Sequence, residues 1–189
     1  MSRTTDTALT ARIVEAARRI WHQRGESALT LRAVARAAGT TTPSVYQRFP
    51  AKHDLIEAIA VWAQQGMAAR ILHSRSLEDA FKEYLSFARR HRHEYALFFG
   101  PDFPRLFAPG RPRPGFEWVE KQLARRHGGK PEEYEATVYA LQSVLHGAAS
   151  MLVHVPRGAL ERQIRESCLR ACSVLIANPI RPKGKRSKK

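Results

Sequence analysis

The chain contains 189 residues, of which 43% are hydrophobic, and it carries a formal net charge of +15 at pH 7. This length and this apolar content allow a small DNA-sized module joined to one core-forming domain, so we expect two domains at most. No window reaches the roughly 18 consecutive apolar residues of a membrane span, and the first residues lack the apolar stretch of a signal peptide. We therefore expect a cytoplasmic protein that does not contact a membrane.

Positive charge is concentrated near the two ends of the chain. Residues 1–52 contain nine Lys and Arg against three Asp and Glu, and residues 180–189 contain six basic and no acidic side chains. The stretch between them is nearly neutral, with seventeen basic against fourteen acidic residues. This distribution is typical of a basic DNA-contacting segment on a neutral body. We expect the last ten residues to be a disordered tail, either simply solvated or in additional nonspecific contact with phosphates.

Apolar residues recur at helical spacing almost throughout the chain, whereas strand signals are scarce, so we expect an all-α fold. The first predicted helix has Asp6 or Thr7 as its N-cap and Gly25 just past its end. Its apolar face faces the core and is formed by Ile13, Ala16, Ala17, Ile20 and Trp21.

Two short helices joined by a tight turn follow. Thr30 is placed to cap a helix from Leu31 to Ala38, which Gly39 closes in the left-handed conformation. A threonine cap followed by Pro43 then predicts a second short helix, which runs to about Phe49. Two short helices separated by a Gly-containing turn of about three residues are typical of a helix-turn-helix.

Three longer helices are predicted in the middle of the chain. One begins near Lys52, and one runs up to Gly128 after a loop at residues 109–115. The third follows a cap at Ser76, and its apolar face is formed by Leu77, Phe81, Tyr84, Leu85 and Ala88. Such amphipathic helices predict a separate helical domain behind the helix-turn-helix.

The last two predicted helices form an antiparallel pair. One starts at Pro131 and reaches about Val155, and the other follows Pro156 and stops at Asn178. The apolar stripe of the last helix consists of Leu160, Ile164, Cys168, Ala171 and Leu175. Such a pair can pack against a second copy of itself as a four-helix bundle.

The chain contains two cysteines, Cys168 and Cys172, one helical turn apart. Two cysteines without a secretory context exclude a disulfide framework. They can bind a metal or sense oxidation, but the favoured interpretation is that both are buried as small apolar residues.

The stretch from Ile13 to Ile59 resembles the N-terminal DNA-binding domain of the TetR family of bacterial transcription regulators. The matching marks, all at the family's spacing, are Ala16-Ala17, Gly25, Thr30, Val34-Ala35, Ala38-Gly39, Tyr46, Phe49, Lys52 and Leu55. The chain departs from the family's pattern at Ala51, where a capping residue is usual, and at Thr40, where a buried aliphatic residue is usual. The resemblance implies a helix-turn-helix domain at residues 1–53 and a helical effector-binding and dimerisation domain at residues 54–179.

The candidate DNA-binding residues lie on and around the second short helix, because in a helix-turn-helix this helix enters the major groove and its first residues meet base edges. The side chains placed there are Thr41, Thr42, Pro43 and Ser44. One turn later, two residues can hydrogen-bond to adenine and guanine, Gln47 and Arg48. The resemblance adds Arg32 as a candidate base reader and implies three phosphate contacts, Thr30, Tyr46 and Lys52. Tyr46 has a core position as its alternative, and Arg48 a solvated one.

The segment from Tyr139 to Ala149 resembles a C-terminal class of the family marked by His-Gly in its eighth helix, here His146-Gly147. The tryptophan usual four residues earlier is Gln142 here. The resemblance implies a small-molecule pocket among the middle helices, where aromatic residues, including Phe116, are dense. The candidate ligand-binding residues are Phe98, Phe99, Phe103, Phe107, Trp118 and Tyr139, with Gln142 and His146 as polar anchors. Their alternative role is in an ordinary core.

The function implied by the resemblance is transcriptional regulation. The chain would act as a repressor that binds a palindromic operator in double-stranded DNA, dimerises through its last two helices and is released by a small-molecule effector that the sequence does not identify. The alternative is a nonspecific DNA-compacting protein that uses the basic ends of the chain, with binding that depends steeply on salt and hardly on sequence.

An enzyme is the third alternative. The motifs Gly-x-Ser-x-Gly, Gly-x-Gly-x-x-Gly and His-Glu-x-x-His are absent, as is a Walker phosphate loop. His91, His93 and Glu94 suggest metal ligands, but they overlap the basic run at residues 89–93, which repels a cation. We therefore expect no enzymatic activity, no metal site and no cofactor.

Overall fold

The computed structural model describes residues 2–97 and 112–180, with side chains from Thr7 onward. The described residues form helices and no strand, which confirms the expected all-α fold. The α-helices are α1 Ser2–Arg24, α2 Leu31–Ala37, α3 Thr42–Tyr46, α4 Lys52–Leu72, α5 Leu77–Arg90, α6 Arg92–Leu97, α7 Pro114–His127, α8 Glu135–Leu152 and α9 Ala159–Ala177. Two short 3-10 helices lie at Glu26–Ala28 and Pro131–Tyr134.

The described residues divide into two compact units. Residues up to Gly66 together with residues 91–97 form the first unit, and residues 67–90 together with residues 112–180 form the second. Helix α4 is continuous and contributes residues to both units. The domain limits expected from the sequence, at residues 53 and 179, stay predictions.

The core of the first unit is built from the apolar faces of α1 to α4. The predicted α1 face is buried at Ile13, Ala16, Ala17 and Trp21, and it packs with Leu29, Val34, Val45, Leu55 and Ile59. The expected start of α1 is wrong, because the helix begins at Ser2 and Thr7 lies inside it. No Gly or Pro stands between these two positions to stop the helix, and Asp and Thr are tolerated inside a helix at small cost.

The turn between α2 and α3 is closed as the sequence predicts. Gly39 has φ +63°, its N–H donates to the Arg36 carbonyl, and the Thr40 N–H donates to the Ala35 carbonyl. These two bonds form a Schellman motif, in which glycine takes the left-handed conformation without strain. The cap at Thr30 is also confirmed, since its Oγ1 accepts from the Ala33 N–H at 3.1 Å.

The expected end of α3 at Phe49 is wrong. The helix ends at Tyr46, and residues 47 and 48 form a turn. Pro50 keeps Phe49 out of the helix, because the residue before a proline is disfavoured in the α conformation.

The second unit is an assembly of α5, α7, α8 and α9. The predicted apolar face of α5 is confirmed, with Leu77, Phe81, Tyr84, Leu85 and Ala88 all buried. Helix α7 starts at Pro114, inside the stretch expected to be a loop. The helix predicted to start at Pro131 begins there as a short 3-10 helix, which precedes α8. Helix α8 ends at Leu152 and not near Val155.

The buried stripe of α9 differs from the expected one. Its buried residues repeat every fourth position, at Ile164, Cys168, Cys172 and Ile176, and both cysteines are free thiols. Of the other expected stripe members, Leu160 and Ala171 are exposed and Leu175 is half-buried. Apolar residues occur on more than one side of α9, so spacing alone did not select the side that faces the core. Within the described residues, no helix is long and apolar enough to cross a membrane.

Candidate DNA-binding surface and ligand cavity

Helix α3 presents polar side chains outward from a buried anchor. Val45 is fully buried and Phe49 nearly so, which fixes the helix to the core of the first unit. Pro43 and Gln47 are exposed, and Tyr46 is 50% exposed. The exposure of Tyr46 removes its alternative role as a core aromatic. Its phosphate contact stays a prediction.

The start of α3 is fixed by hydroxyl groups. Thr41 is the N-cap, and its Oγ1 accepts from the Ser44 N–H at 3.3 Å. The Thr41 and Ser44 hydroxyl oxygens lie 2.9 Å apart. These two candidate DNA contacts therefore also stabilise the fold of α3, whereas the side chain of the half-buried Thr42 forms no hydrogen bond among the described contacts.

Two candidate DNA-binding cations are held against the protein surface. The Arg48 Nη1 donates to the Ser44 carbonyl at 3.0 Å. The Lys52 Nζ donates to the Glu26 carbonyl at 3.0 Å and lies 3.5 Å from the Glu26 carboxylate. These contacts hold both side chains in place, and each keeps further N–H donors with which it can bind a base or a phosphate.

The two remaining candidates lie at the start of α2. Thr30 and Arg32 are exposed, and α2 packs against both α1 and α3. The fold therefore places all ten candidate DNA-binding residues in the first unit, on α2, on α3, on the residues beside these helices and at the start of α4.

Two residues that support this surface were not found from the sequence. Arg12 on α1 donates through Nη2 to the Ala38 carbonyl at 2.7 Å and to the Gly39 carbonyl at 3.2 Å. At the start of α4, the Asp54 carboxylate accepts from the Ala51 N–H at 2.8 Å, which forms the half of a capping box that does not depend on the side chain of Ala51. The acid at the third position of α4 was a signal for that cap, whereas nothing in the sequence indicates the partner of Arg12.

The second unit contains a small, mostly apolar cavity of about 40 Å³. Gln142 lines it as expected, and its Nε2 donates to the Tyr84 Oη at 2.8 Å. The other lining residues come from α4, α5, α7 and α8, namely Ile71, Ala80, Phe81, Tyr84, Gly115, Phe116, Val119, Val138, Leu141 and Leu145. From the sequence, Tyr84 and Phe81 were expected to be core residues of α5. A buried Tyr hydroxyl usually has a hydrogen-bond partner, so Tyr84 gave a signal for a polar contact in this core.

Three other candidate ligand residues do not line this cavity. Tyr139 is 48% exposed and accepts a hydrogen bond from the Arg113 Nη1 at 2.5 Å. Trp118 and His146 are half-buried, and the His146 ring lies 3.4 Å from the Ser150 hydroxyl. Burial lowers the pKa of His146. The four phenylalanines at positions 98, 99, 103 and 107 lie outside the described residues.

Two family models match the chain. That of the bacterial regulatory proteins of the tetR family matches residues 13–59, and that of the tetracyclin repressor-like C-terminal domain matches residues 77–175. The second match alone covers more than half of the chain. A search of curated protein sequences returned no significant match.

Three solved structures illustrate the similarity of the fold. A tetR-family transcriptional regulator from Streptomyces coelicolor aligns with a TM-score of 0.65 and 21% identity over 90% of this chain and 82% of its own. The multidrug binding protein EbrR, in complex with ethidium, aligns with a TM-score of 0.56 and 26% identity over 86% of this chain and 97% of its own. NalD of Pseudomonas aeruginosa, the secondary repressor of the MexAB-OprM multidrug efflux pump, aligns with a TM-score of 0.53 and 18% identity over 91% and 97% of the two chains.

The outward-facing α3, the Schellman turn before it and the helical second unit agree with both family matches. The chain belongs to the TetR family of bacterial DNA-binding transcriptional regulators.

Proposed function

We propose that the protein is a cytoplasmic repressor that binds a palindromic operator as a homodimer and is released by a small-molecule effector. DNA binding is assigned to residues 1–53, and effector binding and dimerisation to residues 54–179. The observation that carries the proposal is the exposed face of α3, where Pro43 and Gln47 project from the buried anchor Val45. A helix presented in this way fits the recognition helix of a helix-turn-helix.

The dimer is proposed to form through α8 and α9. Both helices expose large apolar side chains, with Met151 at 54%, Leu160 at 55% and Val174 at 61% exposure. Exposed apolar residues on adjacent elements are typical of a protein interface, and a two-fold dimer uses the same surface on both copies. A two-fold dimer also accounts for a palindromic operator, since its half-sites lie about 34–36 Å apart on the DNA.

The effector is proposed to enter the cavity around Gln142 and to be an aromatic compound. EbrR is a multidrug binding protein whose solved complexes contain malachite green, proflavin and ethidium. In this chain none of the described lining residues is acidic, so an uncharged aromatic compound suits the cavity better than a cationic dye. A ligand needs several hundred Å³, roughly 300 or more, so binding must widen the cavity of about 40 Å³.

Helix α4 contributes residues both to the cavity and to the core that supports α3, so we assign to it the step by which ligand binding releases the protein from DNA. Ile71 near its end lines the cavity, and Leu55 and Ile59 near its start belong to the core that supports α3. A ligand that displaces Ile71 therefore acts on the helix that also holds the recognition helix.

The test of DNA recognition is selection from a random pool of duplex DNA by the purified protein at near-physiological salt, followed by sequencing of the bound fraction. A two-fold symmetric motif supports the dimeric regulator. An unenriched pool, with binding that disappears steeply as salt rises, would favour nonspecific binding by the basic ends of the chain.

The test of the dimer is the mass of the protein in solution. Val174→Glu places a charge on the proposed interface and should convert the dimer to a monomer, while Arg125→Glu on the exposed side of α7 should leave the mass unchanged. A dimer that survives Val174→Glu as well as Arg125→Glu would remove α9 from the interface.

A further inference from the structure

Three metal-ligating side chains meet inside the first unit. His22 lies near the end of α1, His91 directly precedes α6, and Glu94 is in the first turn of α6. The His22 Nδ1 is 2.9 Å from the Glu94 Oε1 and 3.2 Å from its Oε2, and the His91 Nδ1 is 3.9 Å from Oε1. One ligand atom from each residue lies within 4.8 Å of the other two.

The spacing of these atoms is close to that of a zinc site. Nitrogen and oxygen ligands lie about 2.0–2.2 Å from Zn²⁺, so in a tetrahedral site they are roughly 3.3–3.6 Å apart. The observed separations span this value, and small side-chain rotations bring the three atoms onto one ion. Two imidazoles and one carboxylate leave a fourth position for water, and His22 is 43% exposed, which opens the cluster to solvent.

The buried carboxylate gives a second reason for a cation. Glu94 is fully buried, and within the described residues its ion-pair partners are His22 and His91. A buried carboxylate is costly unless positive charge compensates it. The nearby Arg18 gives its hydrogen bonds to the Glu15 carboxylate at 2.6 and 2.9 Å. Arg18 also interacts electrostatically with Glu94, and a bound dication would add positive charge directly at the carboxylate.

The basic run around His91 does not oppose a metal as strongly as the sequence suggests. Arg89 donates hydrogen bonds to the carbonyls of Leu152 and Val155, and Arg90 lies 3.5 Å from the Glu83 carboxylate. Both guanidinium groups therefore have partners of their own in the second unit.

We propose that His22, His91 and Glu94 bind a divalent transition-metal ion of the zinc class. The spacing of residues in the sequence could not identify His22 as a ligand, because it lies 72 positions from Glu94. The ion would tie the end of α1 to α6. Since α1 also carries the Arg12 contact to the turn before α3, occupancy would stiffen the support of the recognition helix, a consequence that rests on the proposed function.

The test uses the full chain without an affinity tag, treated with chelator and titrated with Zn²⁺ alone by calorimetry. We expect one ion per chain, a thermal midpoint that rises with Zn²⁺, and a visible absorption band of tetrahedral Co²⁺ when cobalt replaces zinc. His22→Ala should weaken Zn²⁺ binding at least tenfold and abolish the rise in the midpoint. The matched control is His154→Ala, which removes an exposed histidine from the second unit and should change neither.

Glu94→Gln should also abolish binding, and if this buried substitution prevents folding, His22→Ala decides, because His22 is partly exposed. The proposal is overturned if the parent protein binds no Zn²⁺, or if His22→Ala binds it as tightly as His154→Ala does. If one ion binds per chain but the affinity of the protein for DNA does not change, the metal site is supported and only its link to the recognition helix is removed. If neither the parent protein nor any variant binds a specific DNA sequence while Zn²⁺ binding is intact, that result would instead contradict the proposed function.

Discussion

Arg12 lies one hydrogen bond from the turn of the helix-turn-helix, with its Nη2 2.7 Å from the carbonyl oxygen of Ala38. This carbonyl belongs to the C-cap residue of α2, and helix ends leave such groups without a partner inside the helix. Arg12 therefore joins α1 to the segment that sets the direction of α3.

Removal of this guanidinium should destabilise the first unit. Arg12→Ala is expected to lower the free energy of unfolding by about 1–3 kcal/mol, because hydrogen bonds from a charged group are lost and the Ala38 carbonyl stays partly buried. Urea unfolding of Arg12→Ala and of Arg19→Ala, an exposed arginine on the same helix, measures the difference. Equal stability of the two variants would mean that the contact to Ala38 contributes nothing.

The left-handed conformation of Gly39 should make this position sensitive to any side chain. The Cβ of an alanine here would meet only the Arg12 guanidinium at 3.7 Å, so the cost is in the backbone and not in a clash. Gly39→Ala should therefore cost about 1–2 kcal/mol, and Gly39→Asn less, since asparagine tolerates φ near +60° better. Thermal unfolding of the two variants ranks them, and an equal or greater loss for Gly39→Asn would contradict the backbone explanation.

The hydrogen bond between Gln142 and Tyr84 should show strong coupling in a double-mutant cycle. Tyr84→Phe leaves the Gln142 amide without its partner in the cavity and should cost about 1–3 kcal/mol, as should Gln142→Leu. The double variant removes both polar groups and should cost less than the sum of the two. Additive losses in urea unfolding would show that the bond does not hold the cavity closed.

Stability should fall as the pH drops through the range in which His146 titrates. Burial lowers the pKa of His146, so the unfolded chain takes up a proton at a higher pH than the folded chain does. The His146 contribution is therefore an acid destabilisation that develops as the pH falls below about 6.5 and is absent at higher pH. His146→Gln should reduce the loss of stability between about pH 7.5 and pH 5.5, whereas His154→Gln, an exposed control, should not. The same slope in both variants would contradict the assignment.

Local features of the fold were predictable from the sequence, and long-range contacts were not. Thr30 and Gly39 act on residues at most four positions away, so residue type and spacing predicted both the cap and the turn. Arg12 and the Gly39 carbonyl are 27 positions apart, and His22 and Glu94 are 72 apart, so only the fold brings each pair together. The stripe of α9 was mistaken for a related reason, because apolar spacing does not tell which apolar side faces the chain's own core and which is left exposed.

The most direct test of base reading by α3 is the DNA selection repeated with Gln47→Ala. Gln47 is the exposed C-cap residue of α3, and its side chain has no described hydrogen bond or ion pair, so loss of this side chain should leave the fold and the spacing of the half-sites unchanged. We predict a symmetric motif for both proteins, with preference relaxed at one base pair in each half-site of the variant, which corresponds to about 1–3 kcal/mol of lost discrimination. A motif identical at every position, or no symmetric motif in either protein, would contradict the assignment of α3 as the recognition helix.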